Sequence, residues 1–268
     1  ELAALQHASI IGPVFWDSAL QRLDAQAPAA LPALQRKATI VAHDGSRFAN
    51  EREHAFHHPL LHEVTYGTVL KATRHRGHAE AGRWLAERLG ERAGEFLALT
   101  AGHFERAGDS AMALEYYDRA RVDAMARFAH EDALGLIERS LAQPALDAHP
   151  RWRFQVLVAR CNALDRLGRR EAAQAALREA ESFAEANDDD AMRADVATLR
   201  MLDADHEGQP ERARERAHQA LALAARHGGP AAASSAALAH GELAWLALMA
   251  CDHALARQQL VQGMRHAR

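Results

Sequence analysis

One spacing recurs along the chain from about residue 94 onward and constrains the fold more than any other feature. A small residue, usually glycine, is followed five positions later by alanine, then four later by a packing residue and three later by a small one. Glycine at a helix end permits positive φ, and small residues at helical spacing let two backbones approach closely. The spacing therefore predicts antiparallel helix pairs. Its copies are Gly108–Ala113–Tyr117–Ala120, Gly168–Ala173–Leu177–Ala180, Gly208–Ala213–Ala217–Ala220 and Cys251–Ala256–Leu260–Gly263.

The helices before these turns carry packing residues too: Ala101 and Phe104, Cys161 and Leu164, Ala244 and Ala247. The repeat alanines are 60, 40 and 43 residues apart, and the longest interval leaves room for a short unit around Ala133, Ile137 and Leu141. Residues 94–268 resemble tetratricopeptide repeats, in which each helix pair buries its apolar stripe by stacking on the next. The period is nearer 40 than the usual ~34 residues, which resembles the helical repeats of large bacterial ATP-dependent regulators.

Composition supports a mainly all-α fold in a soluble cytoplasmic protein. Alanine, leucine, arginine and glutamate favour helix, and β-branched residues are scarce after Val69. The formal net charge of -4 lacks the basic footprint of a duplex-binding domain. Cys161 and Cys251 lie far apart in helical patterns, so we expect small buried thiols in a reducing compartment. No apolar run reaches the ~18–20 residues of a membrane span, and no signal peptide is evident.

Residues 1–90 follow a different pattern, with short helices around a β-hairpin. We expect strands at Thr39–Ala42 and Glu53–His57, separated by a turn at His43–Ser46. The pattern predicts helices over 1–11, 15–23, 28–37, 60–73 and 77–89. It therefore predicts a winged-helix-like domain at 1–90, followed by a tetratricopeptide-like α-solenoid of four to five helix pairs at 91–268.

No motif predicts a catalytic centre or a cofactor in this chain. Phosphate-binding glycine loops and the H-E-x-x-H zinc motif are absent from the sequence. The carboxylates of Asp188–Asp190 and of Glu179 and Glu181 fit solvated or helix-capping roles. His58 and His62 have the i, i+4 spacing of a metal site, but no cysteine joins them and Pro59 marks a helix start, so we expect no metal. We expect His54 and His57 on the polar surface of the hairpin.

Two segments of the first domain resemble the winged helix of signal-transducing NTPases with numerous domains. They are Phe56–Val64 with Tyr66, and Leu5–Trp16. The likeness is strongest to class III adenylate/guanylate cyclases and LuxR-type, MalT-like regulators. It implies that His58 senses the β-phosphate of ADP bound to an NTPase domain elsewhere in a longer protein. The family's aspartate after this histidine is replaced by Pro59, and the alternative is that His58 caps a helix or packs beneath the wing.

The sequence leaves three functions open, with an enzyme acting through this fragment as a distant fourth. The first is a regulatory fragment of a multidomain signalling ATPase, cut at both ends within helices, whose repeats bind a protein or small-molecule effector. The second is a stand-alone scaffold for protein partners. The third, DNA binding, is weaker because helix 28–37 offers only Arg36 and Lys37, and Lys71–Arg76 is a short basic run. The aromatic residues expected in the core or on a binding face are Trp84, Tyr116, Tyr117, Trp152, Phe154 and Trp245.

Overall fold

A computed structural model describes residues 1–90 and 93–267. The chain is mainly helical, as predicted, with α-helices α1–α14 and a three-stranded sheet in the described part. It divides into two compact units, Glu1–Leu146 and Asp147–Arg268, here called unit 1 and unit 2. No helix of the described residues is both long and apolar enough to cross a membrane.

Unit 1 contains the sheet and eight of the helices, with a 3₁₀ turn at Ala27–Ala30. The elements are α1 Leu2–Ile11, β1 Val14–Trp16, α2 Asp17–Leu23, α3 Leu31–Arg36, β2 Ile40–Ala42, β3 Glu53–Phe56, α4 Pro59–Thr68, α5 Lys71–Arg88, α6 Ala93–Arg106, α7 Ser110–Ala126 and α8 His130–Leu141. The break predicted inside 73–77 lies instead at Val69 and Leu70, so that α5 is one 18-residue helix.

The sheet has the order β1-β3-β2, with both pairs antiparallel. The predicted hairpin is present, and Ile40 pairs with Phe56. Strand β1 was not predicted: residues 15 and 16 were assigned to a helix. Gly12, at φ 147, and Pro13 end α1 and leave an extended segment whose backbone bonds are satisfied by β3.

An aromatic cluster forms the centre of unit 1. Trp16 stacks on Trp84 with ring centroids 5.2 Å apart, while Phe48 lies 5.1 Å from Trp84 and 4.6 Å from Phe96. Burying each such ring is worth roughly 1.5–3 kcal/mol. The same core continues through Phe104 to Tyr117. The first predicted repeat, α6 with α7, therefore packs within unit 1, and the compact unit extends past residue 90 to Leu146.

Unit 2 is a series of antiparallel helix pairs. Its helices are α9 Pro150–Arg166, α10 Arg170–Ala186, α11 Asp190–His206, α12 Pro210–His227, α13 Gly229–Met249 and α14 His253–His266. Helices α9, α10 and α11 have 17 residues each, and three-residue turns separate them. The long helices explain why the period is nearer 40 than 34.

Each predicted turn residue has positive φ: 72° at Gly108, 69° at Gly168, 67° at Gly208 and 60° at Cys251. In the second turn, Arg169 N–H donates to the Leu164 carbonyl at 3.0 Å and Gly168 N–H donates to the Asp165 carbonyl at 2.9 Å. These bonds form the Schellman arrangement, which satisfies carbonyls left open at a helix end.

Most of the predicted packing residues are buried in this structure. They are Ala101, Phe104, Ala113, Tyr117, Ala120, Cys161, Leu164, Leu177, Ala180, Ala213, Ala217, Ala220, Ala244, Ala247, Ala256 and Gly263. Ala173 is half-buried, and the turn glycines are exposed. Two expectations were wrong. Leu260 is 47% exposed, because α14 packs on α13 through Ala256 and Gly263, and Cys251 is an exposed free thiol in a turn.

Candidate functional site

The most unusual exposed surface of unit 2 lies along α11 and α13. Helix α13 is apolar almost all round, so packing on α11, α12 and α14 buries only part of it. Its uncovered side carries Leu238, Trp245 and Met249, which are 52%, 50% and 66% exposed. Leu202, on α11, is 36% exposed. Large apolar side chains left at the surface on a shared face are typical of interaction sites.

These residues occupy equivalent positions of successive helix pairs. Leu202 and Trp245 are 43 residues apart, the same interval that separates the repeat alanines Ala213 and Ala256. A hydrogen bond joins the two helices: Ser235 Oγ donates to Asp195 Oδ1 at 2.6 Å. The surface made by Leu202, Leu238, Glu242, Trp245 and Met249 is called here the α11–α13 face.

A buried carboxyl group lies within this face. Glu242 is only 8% exposed, and its Oε1 has no hydrogen-bond partner among the described residues. Burial raises the pKa of Glu242, the negative charge of Asp205 on α11 raises it further, and His206 opposes both. A buried carboxyl oxygen without a partner is costly, so such groups in native proteins are few and call for an explanation.

Few positive charges compensate the carboxylates of this face. The sequence of α13 contains no lysine or arginine. Arg193 and Arg200 of α11 pair with other carboxylates, Arg193 with Asp188 at 2.6 Å and Arg200 with Glu181 at 2.6 Å. His206 Nδ1 lies 4.0 Å from Asp165 of α9. Neither α11 nor α13 therefore offers an unpaired lysine or arginine to the carboxyl groups of Glu242 and Asp205.

A second groove of unit 2, between α10, α11 and α12, has charges of both signs. Arg200, Asp203, Glu207 and Arg212 line it. Its charged groups largely satisfy one another: Arg170 lies 3.5 Å from Asp203 and 3.6 Å from Glu207. Ion pairs of this exposed kind contribute little binding energy for a ligand.

The predicted nucleotide sensor, His58, is the N-cap residue of α4. Its Nδ1 accepts a hydrogen bond from the backbone N–H of Leu60 at 3.2 Å, and the side chain is exposed. This bond requires an unprotonated Nδ1, so the neutral ring carries its proton on Nε2. The capping alternative is thus realised, and Nε2 remains able to donate.

Two other histidines of the predicted cluster bond to groups other than His58. His62 Nε2 donates to the Ser9 carbonyl at 3.0 Å. His54 was expected on the surface but is buried, and its Nε2 donates to Asp17 Oδ1 at 2.6 Å. His57 is exposed. Among the described residues, no three histidine, cysteine or acidic side chains are grouped to hold a metal.

The loop between β2 and β3 is fixed by another buried carboxylate, Glu53. It accepts bonds from Trp16 Nε1 and from the backbone N–H of Arg47, each at 3.1 Å, and His43 Nδ1 lies 3.1 Å away. Burial alone would raise the pKa of Glu53, but the bonds from Arg47 and His43 outweigh it and lower the pKa. This carboxylate is satisfied within unit 1, unlike that of Glu242.

A buried pair of histidines was missed by sequence reasoning. His78 Nδ1 lies 2.9 Å from His103 Nδ1, and Tyr66 Oη lies 2.8 Å from His78 Nε2. Burial is the main cause that lowers the pKa of His78 to about 4 and that of His103 to about 3, with Arg106 adding to both. Both rings are therefore neutral at pH 7. The two histidines are 25 residues apart, so no local pattern marks them.

The basic residues predicted as a possible DNA surface are mostly engaged. Lys37 forms an ion pair with Glu1. Arg74 donates to the carbonyls of Val69 and Gly67 at 2.7 and 3.0 Å, and so closes the end of α4. Arg36 is exposed. Of the predicted aromatic residues, Trp84, Tyr116, Tyr117 and Phe154 are buried, Trp152 is half-buried, and Trp245 is the one that is half exposed.

Comparison with known proteins assigns no family. No protein-family model matches the chain, and no curated protein matches it. One similar solved structure is the "MamA RS-1 ArsTM double mutant", with 18% identity, 72% of this chain and 94% of that chain covered, and a TM-score of 0.43. Another is BtubC (BKLC) from P. vanneervenii, with 15% identity, 93% and 88% covered, and a TM-score of 0.39. Similarities of this size establish neither a family nor a function.

Proposed function

We propose that this chain is a non-catalytic scaffold that binds a protein or peptide partner through the α11–α13 face. The observation that carries the proposal is the recurrence of exposed apolar residues, Leu202 and Trp245, at equivalent positions of successive helix pairs. Stacked helix pairs use such aligned positions as extended binding surfaces. Exposed aromatic side chains are also the residue type most often found as energetic anchors at interfaces.

A binding role without catalysis fits the state of three buried reactive groups of the chain. His78 and His103 are buried and engaged with each other, and burial raises the pKa of the Cys161 thiol to about 11. A thiol with that pKa is protonated at neutral pH and is a poor nucleophile. We propose no cofactor for this chain and no membrane or nucleic-acid partner. The cytoplasm remains our proposed location.

The partner site is tested by Trp245→Ala combined with Leu202→Ala. Both side chains are partly exposed, so we expect the fold to survive, while binding of partners recovered from the source organism falls at least tenfold. The matched control is Leu260→Ala, which removes a similarly exposed apolar side chain from α14. Affinity purification with each variant, checked by circular dichroism, gives the comparison. Equal recovery of the same partners by the double variant would show that the partners bind elsewhere.

A second candidate function concerns unit 1: a winged helix that couples the repeats to an NTPase domain in a longer signalling protein, such as a cyclase or a transcriptional regulator. The order helix–strand–helix–helix–strand–strand, with β1 beside β3, supports a winged helix. The exposed His58 at the start of α4 supports the sensor role, because helix N-termini and imidazole N–H groups favour phosphate. In that longer protein ATP or ADP would be the nucleotide, and effector binding to the repeats would shift the domain equilibrium.

The sensor role predicts weaker ADP retention when His58 is replaced by alanine in the full-length protein. Loss of one charge-assisted hydrogen bond corresponds to roughly a tenfold rise in Kd. His57→Ala, which removes the neighbouring exposed histidine, is the control. Equilibrium dialysis with labelled ADP measures both variants, and an ADP affinity unaffected by either substitution would leave His58 with its capping role alone.

A further inference from the structure

Glu242 is the only charged residue in the 21-residue sequence of α13. A helix of alanine and leucine gains nothing from a carboxyl group placed against its neighbour, because moving a carboxylate out of water costs free energy unless it is paired. Here Oε1 is buried and has no partner among the described residues. The described residues therefore leave the carboxyl group of Glu242 without compensation, which a bound partner would provide.

We propose that the α11–α13 face selects peptides that carry a lysine or arginine side chain, which binds the carboxyl groups of Glu242 and Asp205. This inference rests on the proposed function and deepens it, since it names the chemistry of the partner. The cation would neutralise two carboxyl groups that now repel each other.

Charge complementarity is the first support. Asp205 is half-buried on α11, and its charge acts on Glu242. The arginines of α11 are held by Asp188 and Glu181, and His206 acts on Glu242 in the opposite sense to Asp205. A guanidinium or ammonium group is therefore attracted to this point, whereas an acidic peptide is repelled by it.

The surroundings of Glu242 fit a long aliphatic stem with a charged end. Leu238 lies one helical turn before Glu242 on α13, and Trp245 lies one turn after it. Lysine and arginine pack their methylene groups on apolar surface while the charged end reaches a partner. The indole face of Trp245 also attracts cations. We expect apolar residues beside the basic residue in the peptide, because these exposed side chains remain to be covered.

Other occupants fit the face less well. A purely apolar peptide would exclude water from Glu242 and Asp205 without pairing them, which increases the cost of their burial. A second copy of this chain, bound through the same face, would add a second set of the same carboxyl groups to the interface, and α13 would supply no lysine or arginine to pair with them. A metal ion would need more ligands than the described residues group together anywhere.

A random heptapeptide library displayed on phage, selected against the intact 268-residue chain, tests the inference. We expect the enriched peptides to share one lysine or arginine next to apolar residues. Affinity of the best peptide, made synthetically and measured by fluorescence anisotropy, should fall at least tenfold for Glu242→Gln. It should be unchanged for Glu211→Gln, which alters an exposed glutamate of α12. The same peptide with norleucine in place of its basic residue should lose affinity to a similar degree.

Thermal unfolding separates a binding role from a structural one. A glutamate that stabilises the fold would lower the midpoint when changed to glutamine, whereas removal of an unpaired buried charge should leave the midpoint equal or higher. Weaker peptide binding together with unchanged or higher stability supports the inference. Enriched peptides without a basic position, bound equally by Glu242→Gln but lost with Trp245→Ala, would overturn it and leave the proposed function standing. If no peptide depends on Trp245 or Leu202, both proposals fail.

Discussion

At the scale of single residues, the turns between helices share one left-handed backbone conformation, although the residue that adopts it differs from turn to turn. Gly168 and Gly208 meet the left-handed conformation without a Cβ, but Phe128 and Asp188 adopt it too, at φ 60° and 51°. A non-glycine residue in this region costs roughly 1–2 kcal/mol. Phe128 is also 81% exposed, so burial of its ring offsets little of this backbone strain.

We predict opposite stability changes for a matched pair of turn substitutions. Gly168→Ala should lower the free energy of unfolding by about 1 kcal/mol, because a Cβ at Gly168 meets no atom within 4 Å and only the backbone strain remains. Phe128→Gly should raise it by about 0.5–1 kcal/mol by removing the same strain. Urea unfolding measures both. Changes of the same sign would show that φ does not limit stability at these turns.

Residue patterns predicted the turns that carry glycine. They failed where a residue's position depends on a contact with residues far away in the sequence. Gly108 and Gly168 are visible because only glycine adopts positive φ freely. Phe128 gives no such signal. Glu242 is the single charged residue in the sequence of α13, and its burial follows from the packing of α11, which no local spacing encodes. Strand β1 was missed because three residues that continue an apolar run look the same as the start of a helix.

At the scale of elements, a buried chain of hydrogen bonds joins α4, α5 and α6. It runs from Tyr66 through His78 to His103, and all three belong to unit 1. Two neutral rings share one proton between their Nδ1 atoms, so one ring donates and the other accepts. Protonating either ring would place a charge in a site from which water is excluded and beside Arg106.

The buried histidine pair predicts that the stability of the fold decreases in acid. The pKa of His78 is about 4 and that of His103 about 3 in the folded chain, against 6.5 for the ordinary side chain. Below pH 6.5 the unfolded chain binds more protons than the folded chain. The contribution of the neutral histidine pair to the free energy of unfolding is therefore complete above that pH and is lost as pH falls towards 4 and then 3. For His78 alone this is roughly 3 kcal/mol.

Urea unfolding between pH 7 and pH 4 measures the effect. His103→Gln should flatten the dependence on pH even if it lowers stability overall, since one buried base is gone. His57→Gln, at an exposed position, should retain the steep dependence. An equally steep loss of stability in the His103 variant would assign the acid sensitivity to other groups.

At the scale of the whole molecule, the chain consists of two compact units rather than a domain and a uniform array. The helix pair α6 and α7 has the repeat spacing, yet its aromatic side chains complete the core that Trp16 and Trp84 begin. Sequence spacing describes which faces of a helix are apolar, but it does not say which neighbour covers them. The spacing thus predicted helices, while the compact unit that contains α6 and α7 extends to Leu146.

The stacking of helix pairs in unit 2 has a mechanical consequence. Each helix pair there packs mainly on its neighbours along the chain, so a force applied to the two ends of unit 2 would be resisted by one interface at a time. Detaching one 40-residue pair would release about 14 nm of chain at ~3.5 Å per residue. An optical trap would then record a staircase of similar steps at low force. A tether built in this way would lengthen under load before it lost its last folded pair.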